Sequence, residues 1–314
     1  MRPGEAERAL FVKKTDVDIR GLANRLADLL QLVSLDLTPL DVKCAWPVFK
    51  ATAYGREAMF VKLTSCAAAD RALEFLESVD CPLLPKPLLD GHPDFGDCAV
   101  LCLEWKESVR VNAEDMTDGQ LAGFLDGCVT LSKVLSNYRG TVTPLAEEDS
   151  PRGQYERLQR YALRHRLAGR LIRALLEIPE AERLYGDRPL VTIHGDLQPK
   201  NYGFDGDRLA AVYDTDDLTE GLACEDASYA FTERARRAEL SASARQRLTN
   251  LFMRFVGLSP WPRDEWLVAV NHARLRIAAR RLEKRPDSLF IAFDIARRDR
   301  PLAALVATLK GTSC

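Results

Sequence analysis

An α+β chain, with a small β-rich front lobe and a mainly helical back lobe, is predicted by three observations. Over residues 42–105 the apolar side chains fall in short β-prone runs broken by Gly- or Pro-containing connections. After Lys106 they recur at helical spacing in six separate segments. At 314 residues and 46% hydrophobic content, the chain can bury one large core or two smaller ones. The change of periodicity divides it into residues 1–106 and 107–314, with a linker near 104–107.

Each element has a local reason. The first forty residues carry helical periodicity, with Leu22, Leu26, Leu29, Leu30 and Val33 on one stripe. Runs 48–54 and 58–63 flank Gly55-Arg56-Glu57 and read as a hairpin. Residues 67–78 form a short helix. Pro82, Pro85 and Pro87 then exclude a helix, so Leu83-Leu84 and Leu88-Leu89 read as extended. Residues 98–105 make one more strand. The helical segments are 117–138, 153–176, 225–238, 241–256, 263–284 and 287–309. Asp118, Ser241 and Asp287 stand near helix starts, where a side-chain oxygen can take an orphan N–H. Residues 191–214 read as two short apolar strands around a loop.

Charge and cysteines exclude several classes. The 44 basic and 46 acidic residues leave a net charge of −2, with no global basic field for nucleic acid and no acidic tail. No stretch reaches a membrane-spanning length, and the polar residues 1–8 lack a signal-peptide core. A cytoplasmic protein without nucleic-acid partner or membrane insertion is expected. Cys44, Cys66, Cys81, Cys98, Cys102, Cys128, Cys224 and Cys314 are dispersed, with no C-x-x-C pair and no His at zinc-ligand spacing. They read as free thiols, those in Cys98-Ala99-Val100-Leu101-Cys102 as small buried hydrophobes.

The densest chemistry lies in Val191-Thr192-Ile193-His194-Gly195-Asp196-Leu197-Gln198-Pro199-Lys200-Asn201, followed by Ala211-Val212-Tyr213-Asp214. An Asp and an Asn five positions apart follow one apolar run, and a second Asp ends another. Phosphoryl transfer from ATP uses such a set: a carboxylate to orient and deprotonate a hydroxyl, and an amide oxygen and a second carboxylate to hold Mg²⁺ on the phosphates. Asp216 and Asp217 extend the acidic run. Either one contacts a second metal or a substrate amine or hydroxyl, or the run is a turn of solvated carboxylates. Three close carboxylates repel unless a cation sits among them.

His194-Gly195-Asp196-Leu197-Gln198-Pro199-Lys200-Asn201 resembles the H-G-D-x-x-x-x-N motif of aminoglycoside phosphotransferase-like and choline kinase-like small-molecule kinases. It differs by one residue type from the H-R-D-x-x-x-x-N loop of protein kinases. Asp214 and Glu225-Asp226-Ala227-Ser228-Tyr229 stand where that family places its second magnesium Asp and a following acidic helix start. The resemblance implies a bilobal protein kinase-like fold, with a nucleotide-binding lobe at 1–106 and the catalytic loop and acceptor site in 107–314. It implies ATP and Mg²⁺ as cofactors, Asp196 as the catalytic carboxylate, Asn201 and Asp214 as metal ligands, and His194 as a structural residue beneath the loop. Asp226 would hold that loop through backbone N–H groups.

In the front lobe, Lys62 is the only basic residue of run 58–63. The resemblance implies that it reaches the nucleotide phosphates, steadied by a carboxylate on the next helix. Asp70 is the expected partner, with Glu74 one turn further along. Leu103-Glu104-Trp105-Lys106 would be the hinge, with Leu103 and Trp105 at the adenine edge. Where the family often has glycines between its first two strands, this chain has Cys44-Ala45-Trp46-Pro47.

The acceptor implied is a small-molecule hydroxyl: a sugar, amino alcohol, aminoglycoside-like compound or related metabolite. Arg274, Arg276, Arg280, Arg281, Lys284 and Arg285, with Arg297, Arg298 and Arg300, either line an anion-binding face or are solvated and helix-terminal charges. Asp264, Glu265, Glu283, Asp287, Asp294 and Asp299 are interspersed with arginines, which places polycationic aminoglycosides behind neutral or anionic acceptors. Two alternatives stay open: a Ser/Thr protein kinase of the same superfamily, and a nucleotide-binding regulator without turnover. Oligomeric state is not legible.

Overall fold

The computed structural model describes residues 17–40, 46–142, 147–148, 150–178, 185–186, 188–237, 239–284 and 289–311. Two compact units are present. The first takes the chain up to Ser108, together with Tyr138–Thr141 and Ala210–Asp217; the second comprises Val109–Asn137, Val142–Leu209 and Leu218–Cys314. Ala210–Asp217, which the sequence division put with the helices, therefore counts with the sheet.

The first unit is a five-stranded antiparallel sheet in the order β1-β2-β3-β5-β4. Its strands are Asp36–Pro39 (β1), Val48–Thr52 (β2), Met59–Thr64 (β3), Asp94–Phe95 (β4) and Cys98–Glu104 (β5). Helix α1 (Ile19–Leu29) precedes the sheet, and α2 (Cys66–Ser78) follows β3. Strand alternation sorts β5 into two faces. Cys98, Val100 and Cys102 pack with Leu22 and Leu26 of α1, whereas Ala99 and Leu101 pack with Ala69, Ala72 and Leu73 of α2. On β3, Met59, Val61 and Leu63 take the α1 side, which leaves Phe60, Lys62 and Thr64 on the other.

Several expectations change here. β1 was not anticipated. Leu22 and Leu26 carry the α1 stripe, but Leu29 is 48% exposed and Val33 fully so, because the helix stops at Leu29. Leu83 and Leu84 lie in a turn rather than an extended segment, and near Leu88 only Pro87 bridges to Leu103. Cys44 and Ala45 of the first interstrand loop lie outside the described residues. Trp46 packs against the α1-side core.

The second unit holds helices α3 (Asp118–Asn137), α4 (Pro151–Arg164), α5 (Arg166–Leu171), α6 (Arg173–Leu176), α7 (Glu225–Ala235), α8 (Ala242–Leu258), α9 (Arg263–Lys284) and α10 (Leu289–Lys310). Phe124 centres its core, with ring contacts to Tyr202, Phe204, Phe231 and Phe255. Fully buried Trp266 packs edge-on to Phe252 and Phe255. The 153–176 segment is three helices rather than one, broken at His165 and Ile172. The cap of α3 is Thr117 rather than Asp118: its hydroxyl takes the Gln120 N–H at 3.1 Å, and Gln120 Oε1 takes the Thr117 N–H at 3.1 Å. Ser241 caps α8 through the Ala244 N–H. Asp287 lies outside the described residues.

Residues 191–214 contain three strands, not two. Val191–Ile193 (β6) pairs antiparallel with Thr219–Gly221 (β9), and Tyr202–Asp205 (β7) pairs with Arg208–Val212 (β8). The loop between β6 and β7 carries the His194–Asn201 motif. No helix among the described residues is long and apolar enough to cross a membrane.

Candidate active site

In the sheet unit, alternation along β3 aims Phe60, Lys62 and Thr64 at the segment that follows β8. Val212 N–H donates to Leu83 C=O at 2.8 Å and fixes that segment. Lys62 is 5% exposed. Its ammonium donates to Asp216 Oδ1 and Oδ2 at 2.7 and 2.9 Å, and to Asp214 Oδ1. Thr64 Oγ1 donates to Asp216 Oδ2 at 3.4 Å. Burial acts against the charge on Lys62, but Asp216 and Asp214 outweigh it and raise the lysine well above its ordinary range.

The carboxylates on Lys62 are thus Asp214 and Asp216, not Asp70. Asp70 accepts from His92 Nε2 at 2.9 Å with its side chain 72% exposed, and Glu74 takes the Thr141 N–H at 3.0 Å. Both helix carboxylates are spent on neighbours further along the unit. Asp216 is buried rather than solvated, and the cation among the carboxylates is Lys62 itself. The side chain of Asp217 lies outside the described residues. Asp214 sits at φ 71°, left-handed backbone that a short polar residue tolerates better than most.

The four residues predicted as the hinge differ in what their backbone groups meet. Leu103 lies in β5 opposite Phe60, and Trp105 N–H is turned to Ala58 C=O at 3.3 Å. Lys106 is the residue whose N–H and C=O both meet a side chain. Its N–H donates to Tyr213 Oη at 2.8 Å, and the Tyr213 hydroxyl donates to its C=O at 3.3 Å. The Tyr213 ring packs on Phe60 with centroids 4.9 Å apart. Nothing in the spacing of the sequence pointed to Tyr213, because its contacts join residues more than a hundred positions apart.

In the helical unit, the β6–β7 loop is built around Asp196. Gly195 has φ 78°, the left-handed turn that suits a residue without Cβ. The fully buried His194 accepts the Asp196 N–H on Nδ1 at 3.3 Å. Asp226, in the first turn of α7, accepts from His194 N–H at 2.7 Å and Gly195 N–H at 2.9 Å. Burial pushes the Asp226 carboxyl up, opposed by His194 and these two N–H groups.

The Asp196 carboxylate takes hydrogen bonds from Gln198 Nε2 at 2.7 and 2.8 Å and from Asn201 Nδ2 at 3.0 Å, with Lys200 Nζ at 3.3 Å. Asn201 Nδ2 also donates to the Asp196 C=O at 2.9 Å; the other polar atom of that amide is an oxygen, the donor type a hard cation takes. Arg276, missed as a loop residue, donates to Gly195 C=O at 2.8 Å and lies over the Tyr229 ring at 4.5 Å. Burial disfavours its charge, but Tyr229, Asp196 and Glu225 prevail and raise its pKa.

The other predicted anion-binding arginines are mostly committed. Arg274 makes a buried two-pronged pair with Asp299 at 2.7 and 2.9 Å, and Arg281, Arg297 and Arg298 surround Asp294. Arg280 and Arg300 are exposed. Arg285 and the side chain of Lys284 lie outside the described residues.

A family model described as the phosphotransferase enzyme family matches residues 62–263, starting at Lys62 and spanning Asp196, Asn201, Asp214 and Asp226. Comparison with curated protein sequences finds no match. Among solved structures, the chain is similar to a thermostable mutant of aminoglycoside phosphotransferase APH(4)-Ia in ternary complex with ADP and hygromycin B, at 15% identity and TM-score 0.59, covering 90% of this chain and 98% of that one. It is similar to amicoumacin kinase hAmiN in complex with AMP-PNP, Ca²⁺ and Ami, at 13% identity and TM-score 0.55, covering 94% and 95%. Macrolide 2'-phosphotransferase MphH from Brachybacterium faecium, as the apoenzyme, aligns at 15% identity and TM-score 0.53, covering 92% and 97%. At these identities the superpositions show a shared fold alone.

Proposed function

Because the chain belongs to the phosphotransferase enzyme family, we propose that it transfers the γ-phosphoryl group of ATP to a hydroxyl of a small molecule. The observation that carries this reading is the loop around Asp196. A carboxylate is held at fixed orientation by Gln198, Lys200 and Asn201, on a turn anchored by Asp226. Such a group can align an acceptor hydroxyl and take its proton, a contribution of about 10²–10⁴-fold.

The donor set suits a hard divalent ion, since Asn201 and Asp214 offer amide and carboxylate oxygens. Magnesium bound with ATP would offset charge on the transferring group. Lys62, held charged by Asp214 and Asp216, would take the nucleotide phosphates, and Lys106 backbone groups would meet the adenine edge once Tyr213 Oη and Ser108 Oγ give them up. His194 and Asp226 would act on loop position alone.

Two observations favour a small acceptor that is not polycationic. Residues 215–225 are taken up by a 3₁₀ turn, β9 and the start of α7, and so offer no long segment for docking a protein substrate. Four acidic residues of the C-terminal helices are ion-paired: Asp264 with Arg188, Glu283 with Arg157, Asp294 with Arg298 and Asp299 with Arg274. A neutral or anionic hydroxyl compound fits. The test is ADP formation by the purified protein across a panel of sugars, amino alcohols and aminoglycosides with Mg²⁺ and ATP. Acceptor-stimulated turnover is expected from the neutral or anionic members, and turnover confined to aminoglycosides would overturn the acceptor class.

A further inference from the structure

Cys66, His92 and Asp94 stand apart from the residues assigned to phosphoryl transfer, and each presents one donor atom within 4.8 Å of the other two. Cys66 opens α2, directly after the Ser65 cap, and His92 and Asp94 enter β4 as an H-x-D pair. Asp94 Oδ1 lies 3.9 Å from both Cys66 Sγ and His92 Nδ1.

The state of His92 separates this cluster from a chance group of polar side chains. Its ring is only 15% exposed, and its Nε2 is bonded to Asp70 at 2.9 Å. A carboxylate there fixes the proton on Nε2 and leaves Nδ1 with a lone pair. That Nδ1 has no accessible surface and no hydrogen-bond partner. It faces the thiol and carboxylate. An imidazole oriented by a carboxylate on its outer nitrogen, with its inner nitrogen turned to a thiol and an oxygen, is the arrangement of a transition-metal ligand and its supporting partner.

We propose that Cys66 Sγ, His92 Nδ1 and Asp94 Oδ1 form a zinc site, with Asp70 orienting His92 and water completing the tetrahedron. The donor mix of thiolate, imidazole and carboxylate suits Zn²⁺ and not Mg²⁺ or Ca²⁺. Bond lengths of about 2.0–2.3 Å place tetrahedral ligands roughly 3.3–3.8 Å apart, so the two pairs now at 3.9 Å need to close by about 0.6 Å or less and the thiol–imidazole pair by no more than about 1.5 Å. Cys66 and Asp94 are both exposed and can turn to do so. On binding, the Cys66 thiol gives its proton to solvent. The thiolate and Asp94 carboxylate then balance the two positive charges. The site would staple the β4 entry to the first turn of α2, the helix that follows Lys62.

The test uses the purified full chain with Co²⁺ as optical probe and Zn²⁺ as competitor. One equivalent of Co²⁺ should give the intense visible bands of a tetrahedral ion and a thiolate-to-cobalt band, both displaced by Zn²⁺. Zn²⁺ should also shield Cys66 from iodoacetamide, read by mass spectrometry. Cys66→Ser and His92→Ala should remove the bands while keeping the wild-type thermal midpoint in chelator. Asp70→Asn should weaken binding about 10–100-fold. A wild-type protein without the bands, or one whose Cys66 alkylates equally fast with Zn²⁺, would overturn the site. So would Cys66→Ser or His92→Ala variants that bind as wild type.

Discussion

Lys62 is the residue on which the sheet unit's chemistry turns, and its environment makes a quantitative prediction. Replacing it with Met removes the cation that the buried Asp216 and the half-buried Asp214 share, at a cost of about 3–5 kcal/mol in urea unfolding. The pH dependence has a definite sign. The folded pKa of Lys62 is raised above its ordinary value of 10.5. Its contribution is therefore complete below that value and fades as pH rises through the folded pKa. The stability gap between wild type and Lys62→Met should stay constant through neutral pH and close only in strong alkali, followed by thermal melts at stepped pH. Lys62 itself was legible, as the lone base in a β-prone run. Its partners were not, because helix arithmetic searches within a turn or two, whereas Asp216 is 154 positions away. Cys66 and His92 escaped notice for the same reason: metal-ligand patterns are read over short spacings.

At the scale of elements, α3 shows how tightly the helical unit is built against the β7–β8 turn. A Cβ at Gly123 would lie 2.0 Å from the Asp207 carbonyl oxygen, and backbone cannot yield as a side chain can. Gly123→Ala should destabilise by about 1–3 kcal/mol through overpacking, measured by urea unfolding. An unchanged midpoint would contradict that close approach. Helix 263–284 was readable to its ends because its apolar residues repeat without interruption. Segment 153–176 was not: periodicity continues across His165 and Ile172, but the backbone leaves helical geometry at both. The arginines of α9 teach a related lesson. Their spacing suggested an anion-binding face, yet Arg274 is buried on Asp299 of α10 and Arg276 on the loop carbonyl of Gly195. Asp299→Ala should therefore unfold the protein at lower urea, by about 3–5 kcal/mol, as one partner of a buried pair is lost.

For the whole molecule, the family match and the fold place the chain among phosphotransferases, and the proposed chemistry couples metal, nucleotide and acceptor. Chelating Mg²⁺ should abolish ADP formation and leave the fold intact by circular dichroism; turnover that persists in excess chelator would remove magnesium from the mechanism. The H-G-D-x-x-x-x-N stretch was the clearest part of the site in the sequence because its contacts are local: Asn201, Gln198 and Lys200 reach Asp196 within five residues. The assignment of Asp196 is accordingly the central claim. The most direct measurement is acceptor-stimulated ADP formation by wild type and Asp196→Asn, at matched concentration and with matched thermal midpoints. A rate lowered by about 10²-fold or more in Asp196→Asn is predicted. A variant that turns over near the wild-type rate would contradict it.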